Sequence, residues 1–206
     1  MTEPASVPAH QQPSQPLAPE TILDTAEEVL RRYGPAKASV VDVARALGVS
    51  HGSVYRHFAS KAVLRDAVTE RWLQRVSAPL EKVVQRRGKA SARLHDWLVL
   101  LATSKQAIAT DDPELFATFH QLTLASREVV AAHVDHLADQ LARIVADGIA
   151  AGEFAPGDPA VIGRAVLHAT ARFHHPALAG EWGDQARLAA DLEAVYALLL
   201  NGLATR

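Results

Sequence analysis

The sequence predicts an all-α protein. Apolar residues recur along most of the chain at the i, i+3, i+4 and i+7 spacing of one helical face. Beyond Gly88 no segment shows the alternating polar and apolar pattern of a strand. Glycine and proline stand between the successive periodic segments, where helices end and begin. These three observations leave no segment that favours a sheet.

The first 19 residues differ from the rest in composition. They contain five prolines and three glutamines with almost no periodic pattern, which predicts a disordered tail over residues 1–19. The first helix is expected to begin near Pro19, because proline is tolerated in a first helical turn. Gly34-Pro35 is expected to end it. The predicted inner face of this helix consists of Ile22, Ala26, Val29 and Tyr33.

Residues 38–61 predict two short helices joined by a tight turn. Ser39 is placed to cap the first helix and Ser50 the second. Gly48 lies between them, where the chain must adopt a left-handed conformation. The predicted buried positions are Val40, Val43, Ala44 and Leu47, followed by Val54 and Phe58. Together these features predict a helix-turn-helix.

The boundaries of the later helices are predicted from the same glycine and proline signals. A fourth helix is expected from Ser60 towards Gly88, with a kink or a break at Pro79. The apolar positions Leu94 to Ile108 mark the next helix, and Asp112-Pro113 opens another. The last three are expected at about Arg127 to Ala151, Pro159 to His175 and Gln185 to Leu203.

The second helix of the pair carries small, polar and basic side chains on its outer face, which suits insertion into the DNA major groove. We expect His51, Ser53 and Arg56 to read base edges. Gly52 would permit a close approach of the backbone. Arg56 is equally suited to a phosphate.

Phosphate contacts are expected at the helix ends. The Tyr55 hydroxyl and the His57 imidazole project past the end of the second helix, and Lys61 lies in the first turn of the next, where backbone N–H groups favour an anion. Ser39 suits either a phosphate contact or the cap alone. The complete set of predicted DNA-binding residues is Ser39, Ser50, His51, Gly52, Ser53, Tyr55, Arg56, His57 and Lys61.

This region resembles the TetR-type transcriptional repressors. The matching residues are Ser39, Ala44, Gly48, Val49, Ser50, Gly52, Tyr55, His57, Phe58, Ser60 and Lys61. The Tyr-x-His-Phe and Ser-Lys elements make the match specific, because a bare helix-turn-helix does not require them. Departures are Ala38, where Thr is frequent, and Leu30, where Phe is frequent. The resemblance covers about residues 20 to 70.

The resemblance implies an N-terminal three-helix DNA-binding domain with the helix-turn-helix and a larger helical domain for ligand binding and dimerisation, with about nine helices in total. We place the first at 20–65 and the second at 66–206. It also implies a homodimer on double-stranded DNA at a palindromic operator. A small-molecule effector in a central cavity would then shift the fourth helix and release the DNA.

The last two helices are rich in alanine and leucine on more than one face, which would leave apolar surface exposed in a monomer. The resemblance suggests that they pair with their copies across a two-fold axis as a four-helix bundle. Packing within one chain is the alternative.

Six side chains are candidate ligand contacts: Trp97, Phe116, Phe119, His120, His168 and Phe173. Apolar walls with a few polar groups are usual in small-molecule sites. The resemblance suggests the cavity, and plain core packing is the alternative for most of these residues. The expected effector is largely apolar. Among the ten histidines, no HExxH or comparable spacing indicates a metal, so we expect neither a metal nor a cofactor.

The amino-acid composition excludes several classes of protein. The 206 residues contain no cysteine, which excludes disulfides, thiolate catalysis and Cys-type zinc sites. No apolar run reaches the roughly 18 to 20 residues that span a bilayer, and the N-terminus lacks a signal-peptide pattern. We therefore expect a cytoplasmic protein that does not associate with a membrane.

Charge is distributed unevenly. Residues 20–87 contain 12 Lys and Arg against 8 Asp and Glu, a balance of +4, whereas residues 88–206 contain 9 against 14, a balance of −5. A positively charged N-terminal part followed by a negatively charged remainder is typical of a chain that binds the phosphates of a nucleic acid through its N-terminal part. Chance segregation of solvated charges is the alternative.

The predicted function is a sequence-specific DNA-binding regulator of transcription, a repressor released by its effector. A transcriptional activator or a ligand-independent regulator of the same fold is the alternative. An enzyme is a weaker one, because no nucleophile–base pair or metal motif is present.

Overall fold

A computed structural model describes residues 17–205 of the chain. Within this range it contains nine α-helices, two short 3-10 segments and one isolated β-bridge, between Phe154 and Ala204. The helices are α1 (Pro19–Lys37), α2 (Val40–Ala46), α3 (His51–Tyr55), α4 (Lys61–Gln85), α5 (Ala90–Asp111), α6 (Pro113–Ala125), α7 (Arg127–Ala150), α8 (Pro159–Ala169) and α9 (Gln185–Leu203). The all-α prediction is confirmed.

None of the helices in residues 17–205 combines the length and the apolar character needed to cross a bilayer. Most of the predicted tail, residues 1–16, lies outside the described residues.

The first helix begins at Pro19 as predicted, and its regular part ends at Gly34, whose φ is +72°. Ile22, Ala26 and Val29 are buried. The prediction for Tyr33 is wrong, because its side chain is 47% exposed. The ring lies in the last turn before the Gly34 break and contacts the Arg32 guanidinium, 5.5 Å from the ring centroid, instead of the core.

Serine caps define the helix-turn-helix, as the sequence predicts. The Ser39 hydroxyl accepts a hydrogen bond from the Asp42 N–H, and the Asp42 carboxylate accepts one from the Ser39 N–H. This reciprocal capping box satisfies two backbone donors at the start of α2. Gly48 has a φ of +67°, the left-handed conformation expected at the turn. The predicted inner residues are buried, except that Leu47 is half-buried.

One predicted helix boundary is wrong, and one of the two alternatives at Pro79 is excluded. No break occurs at Pro79, because α4 continues to Gln85, whereas a kink at this residue stays a prediction. Its apolar face persists across the proline, and the packing of this face outweighs the one helical hydrogen bond that proline removes. In addition, α8 ends at Ala169, not at His175. The buried Thr170 hydroxyl donates to the Val166 carbonyl at 2.9 Å, and the chain then tightens into a 3-10 turn.

The α4 helix connects two hydrophobic cores. Its N-terminal part packs Leu64, Val68 and Trp72 with α1, α2, α3 and α6. Its C-terminal part packs Leu80 and Val84 with α5, α7 and α8. A displacement of α4 would therefore be felt in both parts of the molecule.

Candidate nucleic-acid interface and ligand cavity

The outer surface of the helix-turn-helix carries a group of exposed polar side chains. They are His51, Tyr55, Arg56, His57 and Lys61. Within residues 17–205 none of these five side chains takes part in a hydrogen bond or an ion pair. Arg56 and Lys61 carry positive charge, and all five side chains remain available to an external partner.

The three serines of the predicted DNA-binding set have internal roles. Ser39 and Ser50 are N-caps, and the Ser39 hydroxyl also donates to the Asp42 carboxylate. The Ser50 and Ser53 hydroxyls lie 3.0 Å apart. The cap reading of Ser39 is thus confirmed, whereas its phosphate contact stays a prediction.

Gly52 lies on the outer surface of α3. A Cβ atom added there would meet only the Ser50 hydroxyl, at 3.7 Å, which is an ordinary contact. The fold itself therefore does not require glycine at this position.

Arginine side chains form ion pairs between α4 and α1, the first helix of the N-terminal module (α1 to α3). The Arg71 guanidinium donates to Glu27 at 2.7 and 2.9 Å and to Asp24 at 2.8 Å, while Arg75 also donates to Glu27. A second pair joins Arg31 of α1 to Asp112 before α6, at 3.1 Å. Because these bonds link α1 to α4, a movement of α4 would carry the module with it.

A cavity of about 480 Å³ lies among α4, α5, α6, α7, α8 and the segment that follows α8. Its size falls within the roughly 300–1,000 Å³ of small-molecule sites. Its polar lining residues include Lys105, His120, His133, His168, His174 and His175. Its apolar walls include Trp72, Leu73, Val130, Val134, Leu137 and Leu167.

The structure brings two of the six predicted ligand residues, His120 and His168, to this cavity. Phe119 stacks on Trp72 with ring centroids 4.6 Å apart and lines a separate groove beside α1. The other three lie in packing positions. The fully buried Trp97 donates its indole N–H to Gln140 at 2.9 Å, and Phe116 and Phe173 belong to the cluster around Trp182.

Sequence reasoning missed the most unusual group in the cavity, Lys105. Its side chain is buried on α5, and burial lowers its pKa to about 8. The ammonium nitrogen lies 4.8 Å from the centroid of the Trp72 ring. A detectable signal was present, because Lys105 continues the apolar face of Leu98, Leu101 and Ala102 at helical spacing.

Burial and the positive charge of Lys105 both lower the pKa values of neighbouring histidines. Burial lowers the pKa of His133 to about 3 and that of His174 to about 4, and the Lys105 charge acts in the same direction on both. Burial and then the charges of His120 and Lys105 also lower the pKa of His175. These three imidazoles are therefore neutral near pH 7.

Among the described residues, no group of three or more histidine or carboxylate side chains has the arrangement to hold a metal ion.

An all-helical chain with a capped helix-turn-helix, followed by a helical body around a cavity, defines a helix-turn-helix regulatory protein. Residues 22–68 match the family described as bacterial regulatory proteins, tetR family, and residues 90–196 match the tetracyclin repressor-like C-terminal domain. The chain belongs to the TetR family, which consists of transcriptional regulators and not of enzymes.

The sequence is similar to an uncharacterised HTH-type transcriptional regulator of Mycobacterium tuberculosis. The two are 31% identical over 103 residues, which make up 50% of this chain and 49% of the relative. The chain thus spans about half the length of the curated relatives it matches.

Solved structures share the fold. A TetR-family regulator from Pectobacterium atrosepticum superimposes with a TM-score of 0.66 at 22% identity, over 91% of this chain and 94% of that chain. SmeT, the repressor of the Stenotrophomonas maltophilia multidrug efflux pump SmeDEF, gives 0.66 at 23% identity, over 92% and 91%. The SmeT–triclosan complex gives 0.65 at 20% identity, over 90% and 91%.

Proposed function

We propose that this chain is a homodimeric, cytoplasmic repressor of transcription that binds a palindromic operator and is released by a small, largely apolar effector. Residues 20–65 form its DNA-binding domain, and residues 66–206 form its effector-binding and dimerisation domain. The observation that carries the proposal is the unpaired polar and basic surface of the helix-turn-helix, in a part of the chain that ion pairs join to α4.

The surface of α8 and α9 supports dimerisation. Val161 is 65% and Leu198 73% exposed, which is unusual for large apolar side chains in a monomer. Small exposed residues surround them, and these are Ala160, Ala165, Ala169, Ala190, Ala194, Ala197 and Gly202. Such faces allow two helix pairs to approach closely in a four-helix bundle.

The route from effector to DNA is α4. Trp72 and Leu73 of this helix line the cavity. Lys61, in its first turn, follows closely in sequence after α3, the helix proposed to enter the major groove. An effector releases DNA only when it binds the conformation that cannot bind DNA more tightly than the one that can. The triclosan complex of SmeT gives a precedent for ligand binding by a protein of this fold.

The test of this function is selection of bound duplexes from a random pool by the purified protein. A recovered palindrome with half-sites about one helical turn apart supports a sequence-specific dimer. Recovery of no preferred sequence would contradict the proposal. A reporter gene behind the recovered operator then distinguishes repression from activation.

Lys61→Ala is expected to weaken binding to operator and random DNA alike. Removing one phosphate contact should reduce the slope of log affinity against log salt concentration by about 1. The measurement is fluorescence anisotropy on both duplexes across a salt series. Lys82→Ala is the matched control, because it removes the same exposed charge from the other end of α4. An unchanged slope in Lys61→Ala would rule out the phosphate contact.

Gly52→Ala is expected to separate folding from DNA binding. The added methyl group meets no close neighbour in the protein, so the free energy of unfolding should stay the same or rise by up to about 1 kcal/mol. Operator affinity should fall at least about tenfold, because the methyl group would occupy space needed for the close approach of the DNA. Native affinity in a fully folded variant would show that the backbone at Gly52 does not approach the DNA closely.

A further inference from the structure

The central cavity contains an ammonium group without a counter-ion. Lys105 is 5% exposed and lines the cavity from α5. Within residues 17–205 no carboxylate forms an ion pair with it and no side chain or carbonyl accepts a hydrogen bond from it. Its one favourable partner is the face of the Trp72 ring, with the nitrogen 4.8 Å from the centroid. A buried charge is normally paired.

The rest of the cavity lining has no negative charge to offer. The polar lining residues are one lysine, one threonine and five histidines, and no aspartate or glutamate is among them. Two acidic residues of this region, Glu70 and Glu128, line a neighbouring groove that shares Leu73 and His133 with the cavity. The lining of the cavity itself therefore contributes positive charge through Lys105 and no negative charge.

Two histidines beside Lys105 have unused hydrogen-bonding atoms. His120 Nδ1 and His133 Nε2 are buried and have no partner among the described residues. Unsatisfied buried polar atoms are rare in folded proteins, so each of these two calls for a partner such as water, an ion or a ligand. Both belong to side chains that line the same cavity as Lys105, although they come from different helices, α6 and α7.

We propose that the cavity binds an amphipathic carboxylate, whose anionic head pairs with the Lys105 ammonium and accepts hydrogen bonds from His120 Nδ1 and His133 Nε2, each imidazole carrying its proton on that nitrogen. The apolar body of this molecule packs against the walls formed by α4, α7 and α8. The proposal rests on the effector-binding function and narrows the effector class from largely apolar to apolar with one negative charge. Charge-assisted hydrogen bonds give such a head group both affinity and orientation.

The test uses the full chain and three test ligands of equal chain length: decanoate, decanamide and decylamine. Isothermal titration calorimetry at pH 7, without DNA, measures each affinity. Decanoate is expected to bind at least about tenfold more tightly than decanamide, since a charged hydrogen bond contributes more than a neutral one. Decylamine, which places a second cation beside Lys105, is expected to bind most weakly.

Lys105→Met keeps the length of the side chain and removes its charge. In this variant the affinity for decanoate should fall to that for decanamide, while the affinity for decanamide changes by less than about twofold. Lys82→Met is the matched control, because Lys82 is an exposed lysine of α4 outside the cavity lining. It should retain the native preference.

Several results would overturn the proposal. These are equal affinities for decanoate and decanamide in the native chain, no decanoate binding at millimolar concentration, or a preference for decanoate that survives in folded Lys105→Met. If this variant does not fold, the comparison of ligands on the native chain decides.

The outcome is separate from that of the proposed function. A recovered operator without carboxylate binding would leave the DNA-binding function standing and remove this inference. If the protein binds the carboxylate through Lys105 but selects no DNA sequence, this inference stands and the DNA-binding function is removed.

Discussion

Lys105→Met is expected to raise the free energy of unfolding by about 3 kcal/mol at pH 7. The ammonium of Lys105 is buried, and its pKa falls from 10.5 in the unfolded chain to about 8 in the folded one. Each pKa unit corresponds to about 1.4 kcal/mol, so the charged lysine destabilises the fold by this amount. Methionine fills similar space, packs well on an aromatic ring and leaves no charge to desolvate.

The sign of the pH dependence follows from the same shift. A basic group whose pKa is lowered by folding destabilises the protein fully below its folded pKa, and the effect disappears as the pH rises through its unfolded pKa. The part of the stability difference between Lys105→Met and the native chain that comes from the ammonium charge should therefore be constant below about pH 8 and vanish by about pH 10.5. Urea unfolding at equal protein concentrations measures it.

Lys82→Met serves as the control, because substitution of an exposed lysine should change stability by no more than about 0.5 kcal/mol. A Lys105→Met variant less stable than the native chain would show that the Trp72 contact outweighs the desolvation of the ammonium. A stabilising substitution that also removes ligand binding is the pattern expected of a residue retained for function.

The local signals in the sequence were sufficient for most of the fold. Serine caps, a left-handed glycine and one apolar helical face predicted the helix-turn-helix, because each of these features depends only on residues that are close in the sequence. The failures lie where tertiary packing decides. The apolar face around Leu80 holds α4 together across Pro79, and α8 ends before Phe173, which packs with Trp182 and whose carbonyl accepts a hydrogen bond from Gln106.

The two candidate sites differ in how far the sequence predicted them. The DNA-facing residues lie within one short segment, so their exposure follows from the helical period. The cavity draws its lining from five helices and the segment after α8, and no pattern along the chain shows which side chains converge there. Aromatic residues such as Trp97 and Phe173 resemble cavity residues in sequence but are core residues in the structure.

Gly163→Ala is expected to lower the free energy of unfolding by about 3 kcal/mol, although alanine is the better helix former. Gly163 lies where α8 crosses α7 at close range. A Cβ atom there would lie 2.6 Å from the Ala142 backbone nitrogen and 2.9 Å from the Ala138 carbonyl oxygen. Because these neighbours are backbone atoms of a packed helix, the methyl group can be accommodated only by separating the two helices.

Gly52→Ala provides the matched control for this prediction. The same substitution in α3 makes only an ordinary contact with the Ser50 hydroxyl, and the intrinsic preference of a helix for alanine over glycine should then appear as a gain of up to about 1 kcal/mol. Opposite signs in the two variants, measured by urea unfolding, would isolate the helix contact from the backbone effect. Because α8 also lines the cavity through Leu167 and His168, Gly163→Ala should weaken decanoate binding as well. Native stability in Gly163→Ala would mean that α7 and α8 lie further apart than the structure places them.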